Sequence, residues 1–169
     1  TDIPLHEEGR RQAEALAGKL KKADKYSLIF ASPLLRAYET ARILSKRLHV
    51  PVVTNPLLQE IAFGKWDGKQ PARLQGKDRT MFETWRKNPT QASPPGGETI
   101  FNVQQRLQTF LENNDLESYP RPIIVVCHQI VGAALTCTLR GEDLSEMPQY
   151  YMKNTDYRVL SPEAFYRTS

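Results

Sequence analysis

The spacing of apolar positions divides the chain into short strands and amphipathic helices. From Glu7 to Lys22, Ala13, Leu16, Ala17 and Leu20 recur at i, i+3, i+4 and i+7 among Lys, Arg and Glu, which predicts a helix with one apolar face. Ser27–Ala31 is an apolar run short enough for a buried strand. Ser32-Pro33 then supplies an N-cap residue and a proline at the first helical position, so a helix is expected from there to about Leu48. Val50–Thr54 reads as a second strand, and Ile123–Cys127 is the most apolar strand of all. Between them, Glu98 to about Glu112 reads as a helix with Val103, Leu107, Phe110 and Leu111 inward. A helix from about Ile130 to Leu139 ends at Gly141, and Tyr157–Leu160 is expected as the last strand. Strands alternating with helices predict an α/β fold with a mostly parallel sheet, its helices layered on both faces.

The pattern weakens over residues 57–95, where Gly64, Gly68, Pro71, Gly76, Pro89, Pro94 and Pro95 interrupt it. This stretch reads as a loop-rich insertion with a short helix at about Arg79–Lys87. Its aromatic residues Phe63, Trp66, Phe82 and Trp85 read first as local core, with pocket lining as the alternative.

Bulk properties narrow the class. A chain of 169 residues suits one core, and 40% hydrophobic with 25% charged residues is the balance of an ordinary globular domain. No apolar run approaches the roughly 20 residues that span a bilayer. Thr1-Asp2-Ile3-Pro4-Leu5 has neither a basic nor an apolar leader character, so no signal peptide is expected. Cys127 and Cys137 both lie in apolar surroundings, which favours buried thiols in a reducing compartment, the cytoplasm. The net charge of +4 is mild and dispersed; it argues against nucleic acid and suits a small anionic substrate.

Candidate chemistry collects where strands give way to helices, because in parallel sheets ligands bind at the carboxyl ends of strands beside free helix N–H groups. Arg36 falls in the opening turn of the helix after Ser32-Pro33. A guanidinium there runs against the helix dipole, which fits a phosphate ligand, a surface ion pair being the plainer reading. His128 follows the strongest strand directly and could serve as acid, base, nucleophile or phosphate donor, or simply cap the strand end. Glu60, flanked by apolar residues, could have a raised pKa and act as a general acid; a solvated loop carboxylate is the alternative. Pro95-Gly96-Gly97-Glu98 marks a turn opening a helix. The histidines His6, His49 and His128 lack metal-ligand spacing, so no metal or other cofactor is expected. A cysteine-dependent phosphatase built on Cys127 is disfavoured, because residues 128–139 contain no Arg to return to the same phosphate.

The order of these segments resembles the histidine phosphatase superfamily, of the phosphoglycerate mutase type. Thr1–Leu5 with Glu8-Gly9-Arg10-Arg11-Gln12-Ala13 looks like the segment after that family's R-H-G strand. Ser32-Pro33-Leu34-Leu35-Arg36-Ala37 with Thr40-Ala41 is similar to its S-P-L-x-R-A-x-x-T-A. Leu58–Gly68 resembles L-x-E-x-x-x-G-x-W-E-G with Asp67 for the last Glu, Gly96-Gly97-Glu98-Thr99 resembles G-G-E-S/T, and the strand ending at His128 matches the second family histidine. The triplet Cys127-His128-Gln129 with Glu146-Met147-Pro148 is similar to fructose-2,6-bisphosphatase, whereas the Glu60 region looks more like α-ribazole and broad-specificity phosphatases.

The resemblance implies one domain over residues 1–169, a three-layer α/β/α fold lacking the family's R-H-G strand, and an insertion over residues 57–95 that covers the active site. It implies a metal-independent phosphomonoester hydrolase acting on small phosphorylated metabolites, with the phospho-accepting histidine expected upstream of Thr1. Arg36, Gln129 and Ile130 would hold phosphate, His128 would be protonated beside it, and Glu60 would be the general acid. His6 falls where the family has Thr or Ser before a surface helix, so it is not the nucleophile. The implied partners are a small phosphorylated metabolite or inorganic phosphate, neither nucleic acid nor membrane, with room for a homodimer. A phosphate-binding or interaction domain without catalysis, and a mutase, are the competing readings.

Overall fold

The computed structural model describes residues 2–20 and 25–161. Strands β1 (Ile29–Ala31), β2 (Val52–Thr54) and β3 (Ile124–Val126) form a parallel sheet in the order β2-β1-β3. Ile29, Phe30 and Ala31 stand opposite Val52, Val53 and Thr54 on one side and Ile124, Val125 and Val126 on the other. The helices are α1 (Glu7–Leu20), α2 (Leu35–Leu48), α3 (Gly76–Lys87), α4 (Ile100–Asn114) and α5 (Gln129–Arg140).

The layering follows from the period of β1, whose successive side chains face opposite sides of the sheet. Phe30 enters a core with Val103, Leu107 and Phe110 of α4 and Val131 and Ala134 of α5. Its ring meets Phe110 edge-on, with centroids 5.2 Å apart. Ile29 and Ala31 enter a second core with Leu16, Ala17 and Leu20 of α1 and Ala41 and Leu44 of α2. Helices thus cover both faces, giving the three layers expected of a histidine phosphatase fold.

Element boundaries move for local reasons. Helix α4 begins at Ile100 rather than Glu98, because Thr99 and Asn102 form a reciprocal capping box: each side chain accepts from the other's backbone N–H at 3.1 Å. The expected end of the first helix at Lys22 lies outside the described residues. The 57–95 stretch carries short 3-10 turns at Gly64–Trp66 and Pro71–Arg73, and α3 begins at Gly76, earlier than expected. Trp66 and Trp85 are each only 4% exposed and pack with Phe63 and Phe82, so this aromatic group is core.

Tyr157–Leu160, expected as a strand, takes no strand pairing. The alternation behind the expectation persists, with Arg158 and Leu160 half-buried and Tyr157 and Val159 exposed. Side chains hold the segment in place of a ladder. The Arg158 guanidinium sits 4.6 Å from the centre of the Tyr150 ring, and Leu160 packs against the α4–α5 core.

Candidate active site

Because β1 and β3 are parallel neighbours with Ala31 opposite Val126, their carboxyl ends open at the same edge of the sheet. The Ser32 N–H donates to the Val126 carbonyl at 2.9 Å, extending the ladder by one bond. One step beyond, His128 Nε2 lies 2.8 Å from Ser32 Oγ, both residues being buried. Ser32 was expected to cap the following helix, but its hydroxyl instead meets His128 and accepts from the Leu34 N–H at 3.3 Å. Leu34 takes the cap position without a side-chain cap, and α2 starts at Leu35.

His128 itself is the cap residue of α5, in extended conformation, and its carbonyl accepts from the Gly132 N–H at 2.7 Å. Burial pushes its imidazole down to about 4, with the Arg36 and then the Arg106 guanidinium acting in the same direction and Asp2 opposing. In the free protein this ring is neutral at physiological pH, in contrast to the protonated form expected beside phosphate. Adding a phosphate dianion would supply the missing counter-charge.

Arg36 is the second residue of α2 and is half-buried. The Asp2 carboxylate accepts from the Leu35 N–H at 2.7 Å, so an anionic group already meets this helix start from the N-terminal segment. The charge of Arg36 acts on both His128 and Glu60.

Glu60 sits on the loop between the buried side chains of Leu58 and Ile61, which fix the backbone on either side of it. Its Oε1 accepts from the Ile61 N–H at 3.0 Å. Burial raises the carboxyl above its ordinary value, opposed by the Ile61 N–H, Arg36, and the N–H groups of Ile130 and Val131. The Ile130 N–H, expected at a phosphate, therefore acts on Glu60 in the free protein. Gln129 is exposed, and its side chain donates to the Met152 carbonyl at 3.1 Å.

Two participants escaped the sequence reading. Ser32 is one, because its partner lies 96 residues away. Arg106 is the other: its Nε donates to Glu98 Oε1 at 2.8 Å, its Nη2 to Glu98 Oε2 at 3.2 Å, and its Nη1 to the Leu57 carbonyl. A signal was present, since Arg106 falls at i+3 from Val103 and i−4 from Phe110, on the stripe that faces the core.

The remaining candidates have other work. His6 Nδ1 accepts from the Gly9 N–H at 2.8 Å and so caps α1, the place that Thr or Ser takes in the family pattern. Burial pushes the Cys127 thiol up to about 12, which makes it a poor nucleophile. Among the described residues no group of three or more His, Cys, Asp or Glu is arranged to hold a metal ion, and no helix is long and apolar enough to cross a membrane.

A family model described as the histidine phosphatase superfamily (branch 1) matches residues 1–167, and the chain belongs to that superfamily. It is 30% identical over 162 residues to phosphoserine phosphatase 1 of Hydrogenobacter thermophilus, which covers 96% of this chain and 76% of that one. It is also 30% identical over 138 residues to the adenosylcobalamin/alpha-ribazole phosphatase of Escherichia coli, covering 82% of this chain and 68% of that enzyme. Among solved structures, a mycobacterial glucosyl-3-phosphoglycerate phosphatase in complex with VO3 superposes with a TM-score of 0.79 at 32% identity, over 91% of this chain and 77% of that one. The same mycobacterial enzyme is known in complex with inorganic phosphate. These relatives are phosphatases, and phosphomonoester hydrolysis is the activity consistent with membership.

Proposed function

We propose that this protein hydrolyses small phosphomonoesters through a phosphohistidine intermediate, with Arg36, His128 and Glu60 working on one phosphate. The observation that carries this reading is the half-buried Glu60, its carboxyl raised toward the neutral form while it feels the same Arg36 that acts on His128. The phosphoryl acceptor is the histidine that the family resemblance puts upstream of Thr1.

In the first step the ester P–O bond breaks as the N–P bond forms, and charge on the equatorial oxygens must be stabilised. Arg36 supplies a forked cation for this, and the Gln129 N–H at the start of α5 supplies a donor. His128 gains a proton when the dianion binds, and it then adds a second charge-assisted contact. Protonated Glu60 gives its proton to the departing alkoxide, then takes one from the water that cleaves the N–P bond. A carboxyl raised by burial is suited to both directions.

The experiment is a comparison of esters in the full-length protein. Arg36→Ala and His128→Ala should each lower turnover by about 10²-fold or more while the fold persists. Glu60→Gln should slow alkyl phosphates by about 10²-fold and p-nitrophenyl phosphate far less, because the activated aryl leaving group needs no proton. Wild-type turnover in Arg36→Ala or His128→Ala would refute the reading.

A further inference from the structure

The loop that carries Glu60 is held by a second loop and by one half-buried ion pair. Gly64 and Gly97 let the two backbones touch: a Cβ on Gly97 would fall 2.3 Å from the Ala62 carbonyl oxygen, and one on Gly64 would fall 2.4 Å from that of Pro95. Across this seam the Lys65 N–H donates to the Pro95 carbonyl at 2.9 Å and the Glu98 N–H to the Ala62 carbonyl at 2.8 Å. The Glu98 carboxylate returns to the same loop, accepting from the Ala62 N–H at 3.3 Å.

Arg106 closes the arrangement from the other side. Its guanidinium forks onto both oxygens of Glu98, and its remaining nitrogen donates to the Leu57 carbonyl. The two side chains are only 16% and 20% exposed. Leu57 precedes Glu60 by three positions and Ala62 follows it by two, so the pair grips the loop on both flanks of the acid. With its charge matched by Glu98, Arg106 is poorly placed to act as a further phosphate clamp. A planar fork with a third donor is suited to fixing geometry.

We propose that Glu98 and Arg106 are positioning residues that hold the Glu60 carboxyl at the scissile ester oxygen. This rests on the general-acid reading of Glu60, and it ties the Gly-Gly-Glu turn and the α4 arginine to the proton-transfer step. The loop is held from below by Leu58 and Ile61, so loss of the pair frees the Glu60 segment without emptying the core.

The test uses the full-length protein with an alkyl phosphate and p-nitrophenyl phosphate. Glu98→Gln, close to isosteric, and Arg106→Ala should each lower kcat on the alkyl ester by on the order of 10²-fold and on the aryl ester by much less. Looser packing lets water reach Glu60, so the descending limb of the alkyl-ester pH profile should move to lower pH; a loss of stability alone would not move it. Adding Glu60→Gln to either variant should cost little more than Glu60→Gln alone. Arg106→Lys, which keeps the charge and loses the fork, should behave like Arg106→Ala. If Glu60→Gln is ester-selective while Glu98→Gln slows both esters equally with an unmoved limb, or if Lys restores full activity, the positioning role is overturned and the reading of Glu60 stands. If Glu60→Gln slows both esters equally, the reading beneath the proposal fails with it.

Discussion

His128 Nε2 and the Ser32 hydroxyl, 2.8 Å apart, join the carboxyl ends of β1 and β3 across the sheet edge. Ser32 Oγ also accepts from the Leu34 N–H at 3.3 Å, so the one hydroxyl ties the ring nitrogen to the turn that opens α2. Ser32→Ala removes this partner and leaves a buried nitrogen unpaired, at a cost of about 1–3 kcal/mol. Urea unfolding of the variant should show a lower midpoint with an unchanged slope, and phosphate affinity should weaken as His128 loses its orientation.

The imidazole of His128 sets a pH dependence whose sign is fixed. Its folded value of about 4 lies below the ordinary value near 6.5, so the unfolded chain binds the proton first. The stability it contributes is fully present above about pH 6.5 and is lost as pH falls through about 4, a change on the order of 3 kcal/mol. Chemical denaturation of wild type from pH 7 to 4 should show this decline, and His128→Ala should flatten it. An NMR titration should find the His128 ring neutral at pH 6 in the free protein and protonated when vanadate or phosphate is bound.

Much of the candidate site was legible in the letters because its signals are local. Arg36 and His128 follow strands directly, and strand-to-helix junctions are readable from short windows of sequence. Glu60 stands between apolar neighbours, and burial does raise its carboxyl. What escaped is non-local. Ser32 looks like an ordinary helix cap until a histidine from another strand takes its hydroxyl. Arg106 looks like one more helix cation until its position on the apolar stripe is noticed. The Tyr157–Leu160 alternation marks sidedness correctly, but alternation alone cannot supply a strand partner, and here Arg158 and Leu160 anchor the segment through side chains.

Glu60 should trade stability for function. Its folded pKa is raised above the unfolded one, so the stability linked to its proton is present below the unfolded value and lost as pH rises through the folded value. Above that folded value the protein carries a partly desolvated carboxylate. Glu60→Gln removes that charge and keeps the shape, so its melting temperature should exceed that of wild type at pH 8 by a few degrees, about 2–4 °C per kcal/mol in a chain this long. The difference should close as pH approaches 4. A variant no more stable than wild type at pH 8 would show that the loop carboxyl is better solvated than its surroundings indicate.

Two glycine substitutions separate backbone contact from backbone entropy. At Gly97 a new Cβ would fall 2.3 Å from the Ala62 carbonyl oxygen, 2.9 Å from Pro94 Cβ and 3.0 Å from the Gly64 nitrogen, with backbone on two sides and no flexible group to yield. Gly97→Ala must push the turn off the Glu60 loop, costing about 1–3 kcal/mol or more and breaking the Ala62–Glu98 seam. Gly18 lies on the exposed side of α1, where a Cβ meets nothing within 4 Å. There the helix gains about 0.5–1 kcal/mol from Ala, since glycine gives up the most backbone freedom on folding. Thermal melts should therefore move in opposite directions for the two variants, Gly18→Ala upward with alkyl-ester turnover intact and Gly97→Ala downward with that turnover lost. If Gly97→Ala melts like wild type and keeps alkyl-ester activity, the two loops do not press on each other as the structure has them, and the grip on Glu60 must come from Leu58 and Ile61 alone.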